Sequence, residues 1–172
     1  ANKVRWADNK VKISNCAVED DRIEQILDDS IEAWNSKVKN VKLKNKKLKI
    51  IPPYSDLNTQ CVYVVEDYFY SAPDSKGGTG GVTYPVLNVS RNEIIDSDII
   101  IPKSEWEKSG SDFELSYIDS MLEDIMIHEL GHFLGLDHNF TGTESIMSYN
   151  PKHKMSHIYE SVSYTHLRAH ET

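Results

Sequence analysis

Residues 128–138 read HELGHFLGLDH. His128 and His132 are four positions apart, so on a helix their imidazoles leave the same face one turn apart and can bind the same ion. Glu129 lies beside them. Its carboxylate can reach a water on the open side of such an ion without being a ligand, which is where a general base is needed. Gly135 can take a left-handed conformation that ends the helix, letting the chain turn back and bring His138 to the same ion. Three neutral nitrogens leave a fourth position for water, the open arrangement of a catalytic zinc site, where metal and base together yield a hydroxide-like nucleophile near neutral pH. A bare HExxH arises by chance on surface helices. The extension to HExxHxxGxxH does so far less readily, and three merely solvated or core-satisfied histidines fit poorly with a helix whose other face is apolar.

That helix extends upstream. Ile118, Met121, Leu122, Ile125, Met126, Phe133 and Leu134 mark a long, largely buried segment from Tyr117 to about Gly135. Before it, Gly81–Leu87 and Glu93–Ile101 read as two strands joined by a turn around Ser90, Arg91 and Asn92. The glycine-rich loop Ser75–Gly81 precedes a strand, with no helix to supply an anion-binding N-terminus, so phosphate binding is discounted. Cys61–Glu66 (CVYVVE) gives another strand. Val41, Leu43, Leu48 and Ile50 alternate with lysines and stop at Pro52 and Pro53, as in one strand or a short hairpin. The same alternation makes the lysine run from Lys37 to Lys49 a solvated strand face or sheet edge rather than a binding patch. Ile23, Ile26, Leu27, Ile31 and Trp34 have helical spacing within Glu19–Trp34, and Val11–Cys16 alternates as a half-buried first strand. Strand, helix, several strands, helix is the order of an α+β domain with helices packed on a mixed sheet.

The chain of 172 residues carries a net charge of −8 with 39% hydrophobic and 27% charged residues, as expected of one globular domain. Its acidic balance argues against a dedicated nucleic-acid binder. No apolar run approaches the ~18 residues of a membrane span. Two cysteines, Cys16 and Cys61, are too few for a disulfide scaffold or a cysteine metal site but enough for one bridge in an oxidising compartment; both the bridged and the free state stay open. The chain starts at Ala1 without a charged-then-apolar leader, as a mature form or a fragment would.

Downstream of the histidines, ESIMSYN places Met147 nine residues after His138, which resembles the Met-turn of metzincin metallopeptidases. The resemblance spans most of residues 4 to 150: VRW near the N-terminus, a first helix ending in EAWN, GGVTYP followed by DSDIII, then the zinc helix, in the order of bacterial matrixin-like enzymes. It implies a twisted, mostly parallel five-stranded sheet with packed helices. His128, His132 and His138 would bind one catalytic zinc, Glu129 would be the base and Met147 a structural residue beneath the ligands. Gly81, Val82, Thr83, Tyr84 and Pro85 would form the edge strand of the cleft, pairing with protein or peptide substrate in extended form. Tyr149, two residues past Met147 as in astacins and serralysins, would stand near the zinc as a fifth ligand or oxyanion stabiliser, a core tyrosine being the alternative.

The implied protein is a secreted, monomeric zinc endopeptidase with no nucleic-acid or membrane partner. It departs from matrixins in several places. All histidines lie at or after His128, so a second, structural zinc is expected to be absent. Asn139 follows the third histidine where matrixins carry Ser or Thr. Cys16 lies in SNCAVED rather than a cysteine switch, so a latency propeptide is expected to be absent or removed. Asn88-Val89-Ser90 and Asn139-Phe140-Thr141 match the glycosylation pattern. The Asp-containing loops offer oxygens to Ca2+, though no motif marks a site. The rival readings are a non-catalytic zinc-binding recognition module, against which Glu129 argues, and a truncated product that lacks a closing helix.

The end of the chain, residues 162–172, reads VSYTHLRAHET and resembles one translated frame of the transposase adapter used in tagmentation sequencing libraries. Every residue matches, and the adapter bases before the frame suit the codon of Ser161. The metallopeptidase domain is therefore expected over residues 1–161, followed by a non-native tail, and His166 and His170 are left out of the ligand count.

Overall fold

The computed structural model describes residues 4–53, 55–65, 81–102, 115–137 and 147. Within these, the elements are β1 (Arg5–Trp6), β2 (Lys10–Asn15), α1 (Asp21–Lys37), β3 (Lys42–Asn45), β4 (Cys61–Val65), β5 (Val82–Asn88), β6 (Glu93–Pro102) and α2 (Leu115–Phe133). The loop over residues 75–80, His138, Asn139, Tyr149 and the tail 162–172 lie outside the described residues.

Helix α1 starts at Asp20, whose carboxylate accepts a hydrogen bond from the Arg22 N–H, and acidic Asp21 and Glu24 sit in the first turn, where the helix dipole favours them. Its buried stripe is Ile23, Ile26, Leu27, Ser30, Ile31 and Trp34. That spacing keeps one face on the sheet and on α2. In β2 and β3 the alternation is as expected: Val11, Ile13 and Leu43 are buried while Lys10, Lys12, Lys42 and Lys44 are exposed. Strand β3 is shorter than the lysine-rich pattern suggests, ending at Asn45, with Ile50 83% exposed. Its edge is held from the helix side, since the Asn35 amide donates to the Leu43 carbonyl and accepts from the Leu43 N–H. A side chain here supplies the bonds a further strand would make.

The sheet runs β1-β6-β4-β2-β3, with β5 pairing β6. All pairings are parallel except β5 with β6. Among the described residues it has six strands rather than the expected five. Because β5 lines one side of β6 throughout, β1 and β4 must share the other, β1 at Glu93–Ile94 and β4 at Ile99–Pro102, so the sheet remains five positions wide. The additional strand is only Arg5–Trp6, too short for any period to announce it.

The β5–β6 hairpin turns at residues 89–92, with Asn92 at φ 53°, a left-handed conformation that asparagine tolerates. The register shifts between Val86 and Leu87, leaving Ile95 as an extra residue in β6. Past this bulge Ser97, Ile99 and Ile101 are buried with the helices, and Asp96 and Asp98 lie buried in the alternate positions. Asp98 accepts from the Cys61 N–H at 2.9 Å. Burial pushes its carboxyl up to about 6, partly offset by that hydrogen bond and reinforced by the charges of Asp96 and Asp56. Cys16 and Cys61 form a disulfide joining the end of β2 to the start of β4, and with Tyr63 they make a small second cluster apart from the main core. Among the described residues no helix is long and apolar enough to cross a membrane.

Candidate metal centre and the adjoining strand

Helix α2 is apolar through Leu122, Ile125, Met126, Ile127, Leu130 and Phe133, all buried, and this places His128 and Glu129 inside the protein at 1% and 2% exposure. The two imidazoles meet edge to face with centroids 4.7 Å apart. Their Nε2 atoms are 3.0 Å apart. Two nitrogens sharing a tetrahedral zinc at about 2.05 Å would be separated by about 3.3 Å, so the pair converges on one point at close to the spacing that ion needs. The His132 Nδ1 lies 2.7 Å from the Leu136 carbonyl oxygen. A carbonyl only accepts, so Nδ1 is the donor here, and the ring turns Nε2 toward His128 as the nitrogen available to a metal.

That carbonyl is delivered by the end of the helix. The Leu136 N–H bonds to the Gly131 carbonyl and the Gly135 N–H to the His132 carbonyl, which is a Schellman cap with Gly135 in the left-handed position at φ +105°. A side chain there is excluded twice, by φ and by the Val4 carbonyl oxygen 2.5 Å from where its Cβ would stand. The N-terminal segment is fixed against the same turn: Trp6 Nε1 donates to the Phe133 carbonyl at 2.7 Å, and the two rings pack at 5.0 Å.

Met147 is fully buried, and its sulfur lies so close to Gly131 that a Cβ on that glycine would be 2.3 Å from it. Gly131 belongs to the turn between His128 and His132, so the thioether supports the helix backbone beneath them. Trp34 braces the same turn, with Nε1 donating to the Ile127 carbonyl at 2.9 Å.

On the other side stands β5. Gly81 approaches Glu129 so closely that a Cβ would be 2.9 Å from Glu129 Cγ. The Thr83 hydroxyl lies 2.9 Å from Glu129 Oε1 and 3.1 Å from the Glu129 carbonyl oxygen. Val82, Tyr84 and Pro85 continue the strand, with Tyr84 and Pro85 exposed. Among the described residues β5 pairs with β6 alone, leaving its other edge open. The structure thus brings together His128, His132, Glu129, Met147 and the edge strand. Among the described residues no third metal-binding side chain joins the two histidines. The contact from Thr83 to Glu129 was not anticipated from sequence, where Thr83 figured only through its backbone.

This arrangement, a mostly parallel sheet with an antiparallel edge strand over a histidine-bearing helix, is a metzincin-like α+β fold. Residues 110–157 match the family model described as Met-zincin. Among solved structures the chain is similar to the crystal structure of archaemetzincin from Methanopyrus kandleri, with 15% identity, a TM-score of 0.56, and coverage of 95% of this chain and 96% of that chain. No curated protein matches in sequence.

Proposed function

We propose that this protein is a zinc-dependent endopeptidase that hydrolyses peptide bonds of proteins held in extended form. The observation that carries the reading is the convergence of the His128 and His132 Nε2 atoms at 3.0 Å beside a buried Glu129. The Met-zincin match over residues 110–157 supports it. His128, His132 and, after the turn at Gly135, His138 would hold the ion. Bound there, zinc would supply Lewis-acid polarisation of the water and the scissile carbonyl.

The remaining chemistry belongs to the chain. Glu129 takes a proton from the attacking water as its oxygen bonds to the carbonyl carbon, then gives that proton to the amide nitrogen as the C–N bond breaks, leaving a carboxylic acid and an amine. The edge of β5 turned away from β6 would align the substrate backbone by strand addition. The Tyr149 hydroxyl would serve as a fifth ligand or as a donor to the oxyanion. The protein would act as a monomer in an extracellular, oxidising compartment, a setting supported by the Cys16–Cys61 disulfide.

The test is cleavage of unfolded protein substrate by the zinc-loaded chain, abolished by chelation and restored by zinc. Glu129→Gln should bind zinc at the original stoichiometry while losing on the order of 10²-fold or more in activity. Full activity in Glu129→Gln would sink the assignment of the base. Zinc binding without cleavage in the original chain would favour a recognition module.

A further inference from the structure

We infer that Thr83 is a positioning residue for Glu129, so that the strand that receives substrate also sets the orientation of the base. The inference rests on the peptidase reading. It goes beyond it by giving a side-chain role to an edge strand otherwise expected to act through its backbone. An ionised carboxylate only accepts hydrogen bonds, as does the backbone carbonyl, so the single hydrogen of the Thr83 hydroxyl is shared between the two oxygens of Glu129 that it touches, at 2.9 and 3.1 Å. One hydroxyl therefore ties the carboxylate to its own helix turn. The absence of a side chain at Gly81 completes the arrangement, because the Glu129 methylene occupies the space a Cβ would fill.

Pro85 defines how the same strand faces substrate. It has no N–H to give β6, and within a sheet proline takes an edge position with its nitrogen turned outward. Peptide groups alternate along a strand, so those of Thr83, two residues earlier, also face the open edge. Thr83 would then offer its N–H and C=O to a substrate strand while its hydroxyl holds the base. A shift of β5 on substrate pairing would move the carboxylate with it, and proton transfer is sensitive to such placement.

The experiment compares Thr83→Val, Thr83→Ala and Thr83→Ser with the original chain. In zinc-free protein labelled with 13C at glutamate carboxyls, the resonance missing from Glu129→Gln should move in Thr83→Val and Thr83→Ala and return toward its place in Thr83→Ser. In the zinc-loaded protein, kcat should fall by about tenfold in the first two, with KM within about twofold and zinc stoichiometry intact, and Ser should restore most of it. An unmoved Glu129 resonance would overturn the contact, whatever the activity. A moved resonance with unchanged kcat would overturn the positioning role. Loss of cooperative folding in both Val and Ala variants would replace it with a purely structural one. If the original chain cleaves nothing, the peptidase reading fails separately, because the spectroscopic arm needs no turnover.

Discussion

Replacing Gly135 with alanine should damage stability and metal affinity together. At φ +105° an L-residue is strained by about 1–3 kcal/mol. The new Cβ would also stand 2.5 Å from the Val4 carbonyl oxygen, so residues 4–6 must retreat. Retreat breaks the bond from Trp6 Nε1 to the Phe133 carbonyl, worth about 1 kcal/mol, and disturbs the Trp6–Phe133 ring contact, worth about 0.5–1.5 kcal/mol. The sum is about 4 kcal/mol, to be read from urea unfolding of the zinc-free variant. Because the cap also delivers the Leu136 carbonyl to His132 Nδ1, zinc affinity measured against a competing chelator should fall about 10–100-fold. A loss below about 1 kcal/mol with unchanged affinity would refute the idea that this turn both ends the helix and orients the ligand.

Asp98 has a folded pKa of about 6 against an ordinary 3.8, so it holds its proton more tightly in the native state, and stability should fall as pH rises from about 4 through 6 and then level off. The loss is at most about 3 kcal/mol. Asp98→Asn, which keeps an acceptor for the Cys61 N–H, should flatten this slope and raise stability at pH 7 but not at pH 4; an unchanged slope would place the titration elsewhere. Reducing the Cys16–Cys61 bridge, which closes a separation of 45 residues, should cost up to about 4 kcal/mol and leave Glu129-dependent cleavage of the remaining folded molecules intact. Ending the chain at Glu160 should leave zinc content, melting temperature and cleavage rate unchanged, and a drop in any of them would show that residues 162–172 belong to the protein.

How far the sequence could be read depended on whether a feature leaves a period. The α1 stripe from Ile23 to Trp34 and the hairpin strands around Asn92 are legible because burial on one face imposes a repeat. Helix α2 is legible through its apolar residues, beginning two positions before Tyr117. The two residues of β1 are too few to repeat anything, and β3 stops at Asn45 because the alternation beyond it belongs to chain that covers the disulfide cluster, where Leu48 and Ile51 pack. The disulfide could not be decided by counting cysteines; it follows from β2 and β4 being neighbours in the sheet, a tertiary fact. At the site, the spacing of His128, Glu129 and His132 names the chemistry because a helix fixes their geometry. Thr83 leaves no such mark, since its partner Glu129 is 46 residues away. Its one sequence signal was membership of the strand expected beside the histidine-bearing helix.

The last two turns of α2 are gripped by chain made long before them. Trp6 and Trp34 each donate to a carbonyl of this helix, across separations of 127 and 93 residues. During synthesis both tryptophans therefore wait, unpartnered by the helix, until more than ninety further residues have been made. Contacts of such span are expensive in loop closure and tend to slow folding. The turn that carries His128 and His132 therefore cannot be braced until both distant segments have come back to it, so the two imidazoles are set by the tertiary fold and not by the helix alone.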